Sequence, residues 1–595
     1  MSHQAIRFEL IMDAGNGAQK AGDILIGAFA KRGNYVYIEP MIPAEISPPK
    51  RTPYSMSGVV IRVADYDISN IGSGTDLMIV EHEILLDRRL IDKEYLPGSI
   101  VLLDLGDEAK NKEAYQQAKD KAIQAGLNLI TFNMDDEAKK VMGELGGNGK
   151  NMFYLGMLTK IFNVSREQLE TNIRSTFKKL PEEKLKLNLF IFDSGYRCAS
   201  EMPVSFEIAA HPIEGDKLLM DGNTAISMGI IDAGIKMYCG YPITPASSIM
   251  HVLAKQFPQY GGMVHQAEDE ISAIGSAIGS YYAGVPSVTA TAGPGISLKQ
   301  EFIGLATSTE TPLIVIDVMR GGPSTGLPTK TEQSDLYTAI FGCHGDNTKV
   351  VLSVANVTDC FYAPHVARYL TEKLRVPVIV LSDYLSSVSY KVFERPALVE
   401  MNSVDDIPHT VLARFGLKPL GPVEMVKDDQ SVPGEVGHTR RVTGLNTSST
   451  GQIAYTSDSN IRSHDVRNQK IQVVREAFLT PEFIGDASGD VLVVAWGSTL
   501  GSLEEGVMML RKEGLKVSGL HLKVVYPLPM MLKDLLKNFK HVITAEVAYG
   551  DNYKSSPLAM LLRAETLVDV KSTIGEPSGR PITPQEIVTK VKEVL

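Results

Sequence analysis

The sequence predicts a multidomain α/β protein. Three observations carry that prediction. The chain has 595 residues, 44% of them hydrophobic, which is enough for several cores and three to four domains. Short apolar runs alternate with helix-like stretches, the pattern of helices packed on largely parallel sheets. Between Leu218 and Asp346, glycines, small residues and acids recur where strand-like runs give way to helix-like ones, as they do where such a fold builds a ligand cleft.

The first unit, residues 1–205, opens with a strand at Phe8–Met12, then Gly15, Gly17 and Gly22 and the helix-like AGDILIGAFAKRG. Further strands are read at Tyr35–Ile38, Gly58–Val63, Asp76–Val80, Ser99–Leu103, Asn128–Thr131 and Leu187–Phe192, in a mainly parallel sheet. The glycines miss the dinucleotide fingerprint, because Lys20 stands where the third should fall, so they read as a tight strand-to-helix turn. Pro43, Pro48, Pro49 and Pro53 mark a loop that cannot be a central strand. The second unit, residues 216–400, carries strands at Ser287–Ala290, Leu313–Val318, Lys349–Leu352 and Pro377–Leu381. Residues 401–475 read as a linker or surface arm, since 418–464 lacks apolar periodicity and is rich in Gly, Ser, Thr, Asp and Pro. Residues 476–595 close the chain, with strands in GDVLVVAWGS, KVSGLHLK and HVITAEVA and helices in LGSLEEGVMMLRKEG and ITPQEIVTKVKEVL.

A net charge of −11 argues against a nucleic-acid surface. No apolar run approaches the roughly 20 residues of a membrane helix. MSHQAIRFELIMDAG lacks a basic segment followed by an apolar core, so a cytoplasmic location is expected. Cys198, Cys239, Cys343 and Cys360 form no CxxC, hence no zinc or iron–sulfur signature, and read as buried thiols. Cys239 lies beside GYPITP and could line a pocket.

Three features in the glycine-rich region bear chemistry. Glu268, Asp269 and Glu270 begin a helix of almost wholly small or apolar residues. Successive helix residues point about 100° apart, so the acids cannot share one environment. Glu270 lies on the stripe of Ala273, Ile274 and Ala277 and is the acid expected on the packed side, where desolvation suits it to share a proton with a ligand nitrogen. Pro242 and Pro245 stiffen a turn that presents Thr244. Arg320 follows the strand-like LIVIDVM and precedes GGPSTGLPT, placed to grip a carboxylate, with Ser324, Thr325, Thr329 and Lys330 as further donors. Taken singly, each has a plainer reading: a solvated helix start, a strand-end turn, a surface ion pair.

Together these motifs resemble the 2-oxoacid:ferredoxin oxidoreductase family, in the form where γ and α subunits are fused. The most specific are YPITP at 241–245, EISAIG at 270–275, and RGGPSTGLPTKTEQSDL at 320–336 followed by His344-Gly345-Asp346, which is most like the 2-oxoglutarate branch. The resemblance implies a γ-type α/β domain over 1–205, a thiamine-pyrimidine-binding, transketolase-like parallel-sheet domain over 216–400, and a transketolase C-terminal-like α/β domain over 476–595. It implies that Tyr241, Pro242, Ile243 and Glu270 contact thiamine diphosphate, with Glu270 on the N1′ nitrogen of its aminopyrimidine. It implies that Thr244 and Arg320 hold the substrate's carboxylate and oxo group, with Thr329 and Lys330 as further contacts. Lys330 and His344 are the candidates for a distal carboxylate. Coenzyme A would take the acyl group and ferredoxin the electrons.

The chain lacks a GDG…NN pattern and a cluster-binding cysteine set. The Mg2+, the pyrophosphate site and a [4Fe–4S] cluster are therefore expected on a β subunit, in a dimer of heterodimers, with no metal on this chain. Ala18, Lys20 and Pro48-Pro49 depart from the family's glycine-rich loops and weaken a coenzyme A or nucleotide site at 15–62. The leading expectation is interconversion of 2-oxoglutarate and succinyl-CoA. Pyruvate or a range of 2-oxoacids is the alternative within the family. A non-oxidative thiamine-dependent transferase and a non-catalytic partner chain are the alternatives outside it.

Overall fold

The computed structural model describes residues 3–45, 47–211, 214–551 and 555–595. They form two compact units, 1–219 with 389–395, and 220–388 with 396–595.

The first unit is built on β1 (Ala5–Asp13), β2 (Tyr35–Met41), β3 (Met56–Ala64), β4 (Thr75–Val80), β5 (Tyr95–Asp104) and β6 (Asn128–Phe132). Their order is β6-β5-β4-β1-β3-β2. The expected mainly parallel sheet is instead mixed: β1, β4, β5 and β6 run parallel, whereas β3 is antiparallel to both β1 and β2. The connection from β2 to β3, residues 42–55 with four prolines, is a loop, and the strands it joins pair antiparallel. Gly15 and Gly17, at φ 83° and 87°, turn β1 into the helix Ala18–Arg32.

The strand expected at Leu187–Phe192 is part of the helix Glu182–Ser200. A six-residue, mostly apolar run does not distinguish strand from buried helix. What decides it is packing against the helix Lys150–Ile161, where Gly156 and Gly195 let the two backbones touch. A Cβ at Gly156 would lie 2.0 Å from the Phe192 carbonyl oxygen.

β7 (Lys217–Asp221) is an edge strand of the first sheet, and the second unit then carries β8 (Met237–Gly240), β9 (Met263–Gln266), β10 (Ser287–Thr291), β11 (Leu313–Met319), β12 (Val350–Ser353) and β13 (Pro377–Asp383). After β14 (Tyr390–Glu394), which joins the first sheet beside β2, come β15 (Phe483–Ile484), β16 (Gly489–Trp496), β17 (Val517–Leu522), β18 (Val524–Tyr526), β19 (Phe539–Glu546) and β20 (Val570–Gly575). Two sheets result, β18-β12-β13-β11-β10-β8-β9 and β15-β17-β16-β19-β20. Both are parallel except at the edge strands β18 and β15. One apolar core runs through them, from Ile274, Ile296 and Val315 to Trp496, Leu520 and Leu558.

The irregular arm from about 418 to 456 is pinned rather than loose. Glu310, 1% exposed, accepts the backbone N–H groups of Val426 and Lys427 and the Lys470 ammonium at 2.7 Å. The last residues expected in the arm already belong to the helix Ser457–Glu476.

Candidate active site

In the sheet order β11-β10-β8-β9 all four strands run parallel, so their carboxyl ends open on one edge. That edge is where an open α/β sheet presents ligand-binding loops. Four segments leave it: Tyr241–Pro245 after β8, Glu268–Glu270 after β9, the helix Gly293–Leu298 after β10, and Arg320 after β11.

The three adjacent acids have three separate positions. Glu268 is exposed. Asp269 caps the helix Glu270–Tyr282, accepting the Ser272 N–H at 2.7 Å. Glu270 turns toward Gly295, whose missing side chain makes the room: a Cβ there would lie 3.0 Å from Glu270 Cγ and 1.9 Å from Thr291 Oγ1. Glu270 is only half-buried in the isolated chain, not fully buried as its stripe suggests. Its carboxylate accepts no hydrogen bond from the described residues and is open to a ligand.

Arg320 is 7% exposed, and its Nη1 donates to the Thr244 carbonyl oxygen at 2.6 Å. The sequence-distant turn and strand end are thereby brought together. Tyr241, Pro242 and Thr244 are exposed, and Ile243 is half-buried. After Arg320 the chain makes a small hairpin, with the Leu327 N–H on the Gly321 carbonyl and the Gly321 N–H on the Lys330 carbonyl. Thr329, in the returning arm, is 9% exposed. The Lys330 stem lies against Gly579. His344 lies elsewhere, in a polar cleft of about 400 Å3 with Asp346, His464 and Arg467, to which none of Thr244, Glu270 and Arg320 contributes. Cys239 is fully buried, its thiol pushed up to about 12 by burial.

Three titratable groups, two fully buried and one half-buried, were not singled out from the sequence. Lys299 ends the Gly293–Leu298 helix, is fully buried, and donates to the Glu270 carbonyl oxygen at 2.6 Å. Burial lowers its ammonium to about 8, although Glu270 and Asp269 pull the other way. Asp317 on β11 is fully buried, and burial holds its carboxyl well above the ordinary range. Burial, with Glu332, pushes Asp335 up to about 7. The signals were present: LIVIDVM holds one acid in an apolar strand, and GISLK ends an apolar run in one cation.

In the first unit, the loop that holds Pro48 and Pro49 lays Arg51 against Asp107 at 2.9 Å. A cleft of about 350 Å3 lies beside Gly15 and Gly17, lined by Lys20, Lys150, Lys184 and four asparagines.

The open edge therefore offers a free carboxylate on a rigid helix start and, across the glycine turn, a guanidinium anchored to a Pro-stiffened loop. Such a set can hold a protonatable ring nitrogen and a carboxylate at one locus. That is what the pyrimidine half of thiamine diphosphate and a 2-oxoacid require, and the residues present fit both. Among the described residues no group of three or more His, Cys, Asp or Glu side chains could hold a metal ion. No described helix is long and apolar enough to cross a membrane.

Comparison with known proteins shows the family. Residues 228–445 match the family model for pyruvate flavodoxin/ferredoxin oxidoreductase, thiamine diphosphate-binding. Residues 13–198 match that for pyruvate ferredoxin/flavodoxin oxidoreductase, and 489–587 match pyruvate:ferredoxin oxidoreductase core domain II. The chain is 33% identical over 588 residues to the 2-oxoglutarate oxidoreductase subunit KorA of Mycobacterium tuberculosis, covering 94% of this chain and 87% of that one. It is 33% identical over 381 residues to the 2-oxoglutarate synthase subunit KorA of Methanothermobacter marburgensis, covering 63% of this chain and 98% of the relative. A solved 2-oxoglutarate:ferredoxin oxidoreductase from Magnetococcus marinus, with 2-oxoglutarate, coenzyme A and succinyl-CoA bound, superimposes over 100% of both chains with a TM-score of 0.85 and 30% identity.

Proposed function

Because the chain belongs to the 2-oxoacid:ferredoxin oxidoreductase family, as a 2-oxoglutarate oxidoreductase α subunit fused to a γ-type domain, we propose the following division of labour within it. The reaction interconverts 2-oxoglutarate, coenzyme A and oxidised ferredoxin with succinyl-CoA, carbon dioxide and reduced ferredoxin. When bound, thiamine diphosphate supplies the electron sink that lets carbon dioxide leave the 2-oxoacid. Glu270 holds the proton at the N1′ nitrogen of its pyrimidine ring. Gly295 gives the Glu270 stem its place, and Lys299 fixes the backbone of that helix turn. Tyr241, Pro242 and Ile243 form the wall against the ring. Arg320 grips the 1-carboxylate while its bond to the Thr244 carbonyl keeps the guanidinium in plane, and Thr244 and Thr329 offer hydroxyls to the oxo group. Lys330 reaches toward the distal carboxylate.

The partner β subunit carries the pyrophosphate end with Mg2+ and the [4Fe–4S] cluster that passes electrons to ferredoxin, in a dimer of heterodimers. A reducing, cytoplasmic setting agrees with four free thiols. The observation that carries this reading is the open Glu270 carboxylate at the strand edge that also holds Arg320. It is tested with Glu270→Gln in the complex with the partner subunit. Turnover should fall by roughly 100-fold or more, the scale of a lost acid/base group, while the complex still assembles. Turnover near that of the unaltered complex would remove Glu270 from the role.

A further inference from the structure

One corner of the second unit holds more positive charge than its own acids balance. Glu310 is the carboxylate at its centre, and Lys470, 1% exposed, pairs with it at 2.7 Å. Four further cations bond into the same surroundings. Arg375 donates to the Glu310 carbonyl oxygen at 3.5 Å and Lys427 to the Ser308 carbonyl oxygen at 3.1 Å. Arg440 donates to the Asp429 carbonyl oxygen and to the Gln430 amide oxygen, both at 3.3 Å, and Gln430 in turn donates to Glu310 at 3.1 Å. Arg467, one helical turn before Lys470, donates to the Asn446 amide oxygen at 3.3 Å. Lys427 is buried and the three arginines are half-buried, yet among the described residues none of the four has an ion pair. Five cations thus stand against one carboxylate. Charge taken out of water without a counter-ion is costly, so such a cluster favours an anion beside it.

The cleft of about 400 Å3 that holds His344 gives that anion a place. Arg467 lines it, and its Nε is buried and without a partner. A buried donor left unpaired calls for an acceptor. The guanidinium is set by a chain of amides rather than by an acid, because Asn446 itself donates to Asn460 Oδ1 at 2.6 Å. Ser308 donates to the Gly444 carbonyl oxygen at 3.0 Å and joins the arm to the helix Gln300–Thr309 at the same cleft. Glu301 and Asp346 also line the cleft, but both are exposed, and Asp346 faces His464 at 3.5 Å.

We propose that this cleft takes a phosphate group, gripped by the Arg467 guanidinium with the His344 and His464 rings and the Asn460 amide as further donors, and that the bound group ties residues 444–446 of the arm to the helix Ser457–Glu476. A tetrahedral oxyanion accepts from several directions at once, which suits a guanidinium fork set among further N–H donors. No bond is made or broken there. Occupancy sets how firmly the arm is held, and none of Thr244, Glu270 and Arg320 lines the cleft.

The test is calorimetric titration of the thiamine-loaded complex with inorganic phosphate at constant ionic strength, so that the pyrophosphate end of the thiamine site is already filled. Saturable binding in the millimolar range or tighter is expected. Arg467→Gln should weaken it roughly tenfold or more, the scale of a lost charged hydrogen bond. Asn460→Asp guards against a fold defect in that variant: its carboxylate still accepts the Asn446 amide, but it brings a negative charge to the cleft and should weaken binding at least as much. Arg475→Gln, on the same helix but paired with Glu565 outside the cleft, should bind as the unaltered complex does. Hydrogen exchange should slow on phosphate addition at 444–446 and 460–467. A parallel titration with adenosine monophosphate identifies the source: tighter binding that Arg467→Gln abolishes makes it a nucleotide, and equal or weaker binding makes it free phosphate. No saturable binding, or binding unchanged in both Arg467→Gln and Asn460→Asp, overturns the site. Binding without slower exchange at 444–446 overturns the tie to the arm.

Discussion

Lys299→Met is the substitution whose consequence can be worked furthest from the structure. The lysine is fully buried behind the first turn of the Glu270 helix, with its ammonium 2.6 Å from the Glu270 carbonyl oxygen. Burial depresses it from its ordinary 10.5 to about 8. A cation whose folded value lies below its unfolded one costs stability below both values. That cost is relieved as pH rises from about 8 to 10.5. Linkage then gives a swing of about 2.5 kcal/mol in favour of the folded state between pH 7 and 10. Methionine removes the swing and the charged hydrogen bond to the Glu270 carbonyl, at a pH-independent cost of about 1–3 kcal/mol. The two nearly offset at pH 7, so the variant should melt close to the unaltered protein there and lower at pH 10. At about 1–2 °C per kcal/mol for a unit this large, the melting difference between the two proteins should change by about 3–5 °C across that range. Differential scanning fluorimetry of both proteins in matched buffers reads this directly. A difference that stays constant from pH 7 to 10 would refute the argument, because it would mean that Lys299 is not desolvated.

Other outcomes can be checked in parallel. Arg320→Lys loses the planar fork and should lower kcat/KM for the 2-oxoacid by roughly 10–100-fold, mostly through KM; an unchanged KM would exclude Arg320 as the carboxylate grip. Gly295→Ala drives a Cβ into Thr291 Oγ1 and the Glu270 stem, so thiamine diphosphate affinity should drop in an equilibrium titration while the melting temperature falls only modestly. Burial raises the Glu310 carboxyl, but Lys470 and the N–H groups of Val426 and Lys427 more than offset it and hold it below its ordinary 4.5. Its stabilisation is therefore present above about pH 4.5 and lost as pH falls below that. Glu310→Gln leaves Lys470 buried without its counter-ion, a cost of about 3–5 kcal/mol, and limited proteolysis should then cut within 426–456. The chain purified without its partner should show no visible iron–sulfur absorbance; a brown chain would contradict the cluster's assignment to the partner.

Much of the architecture was legible because strand-to-helix alternation and glycine punctuation are local signals. The strands of the second unit fall where short apolar runs end in glycine or a charge. Two local readings failed for tertiary reasons. Leu187–Phe192 is helical because Gly156 and Gly195 allow two helix backbones to meet, which no six-residue pattern reveals. The first sheet reverses at β3, where the connection after β2 is a proline-rich loop rather than a crossover helix. At the site, helix periodicity told Glu270 from its neighbours, but Glu270's exposure depends on what lies outside the chain. Lys299 escaped notice because a lone lysine after an apolar run reads as a solvated helix end, and Asp335 because its surroundings come from three separate segments.

On the proposed reading, this chain supplies the pyrimidine-holding and carboxylate-holding half of a 2-oxoglutarate:ferredoxin oxidoreductase site. The most direct measurement is methyl viologen reduction by the chain co-purified with its partner subunit, with thiamine diphosphate, coenzyme A and one 2-oxoacid at a time. Coenzyme A-dependent reduction is expected with 2-oxoglutarate, and much weaker reduction with pyruvate. Reduction with pyruvate but not 2-oxoglutarate would contradict the substrate, and no reduction with any 2-oxoacid would contradict the function.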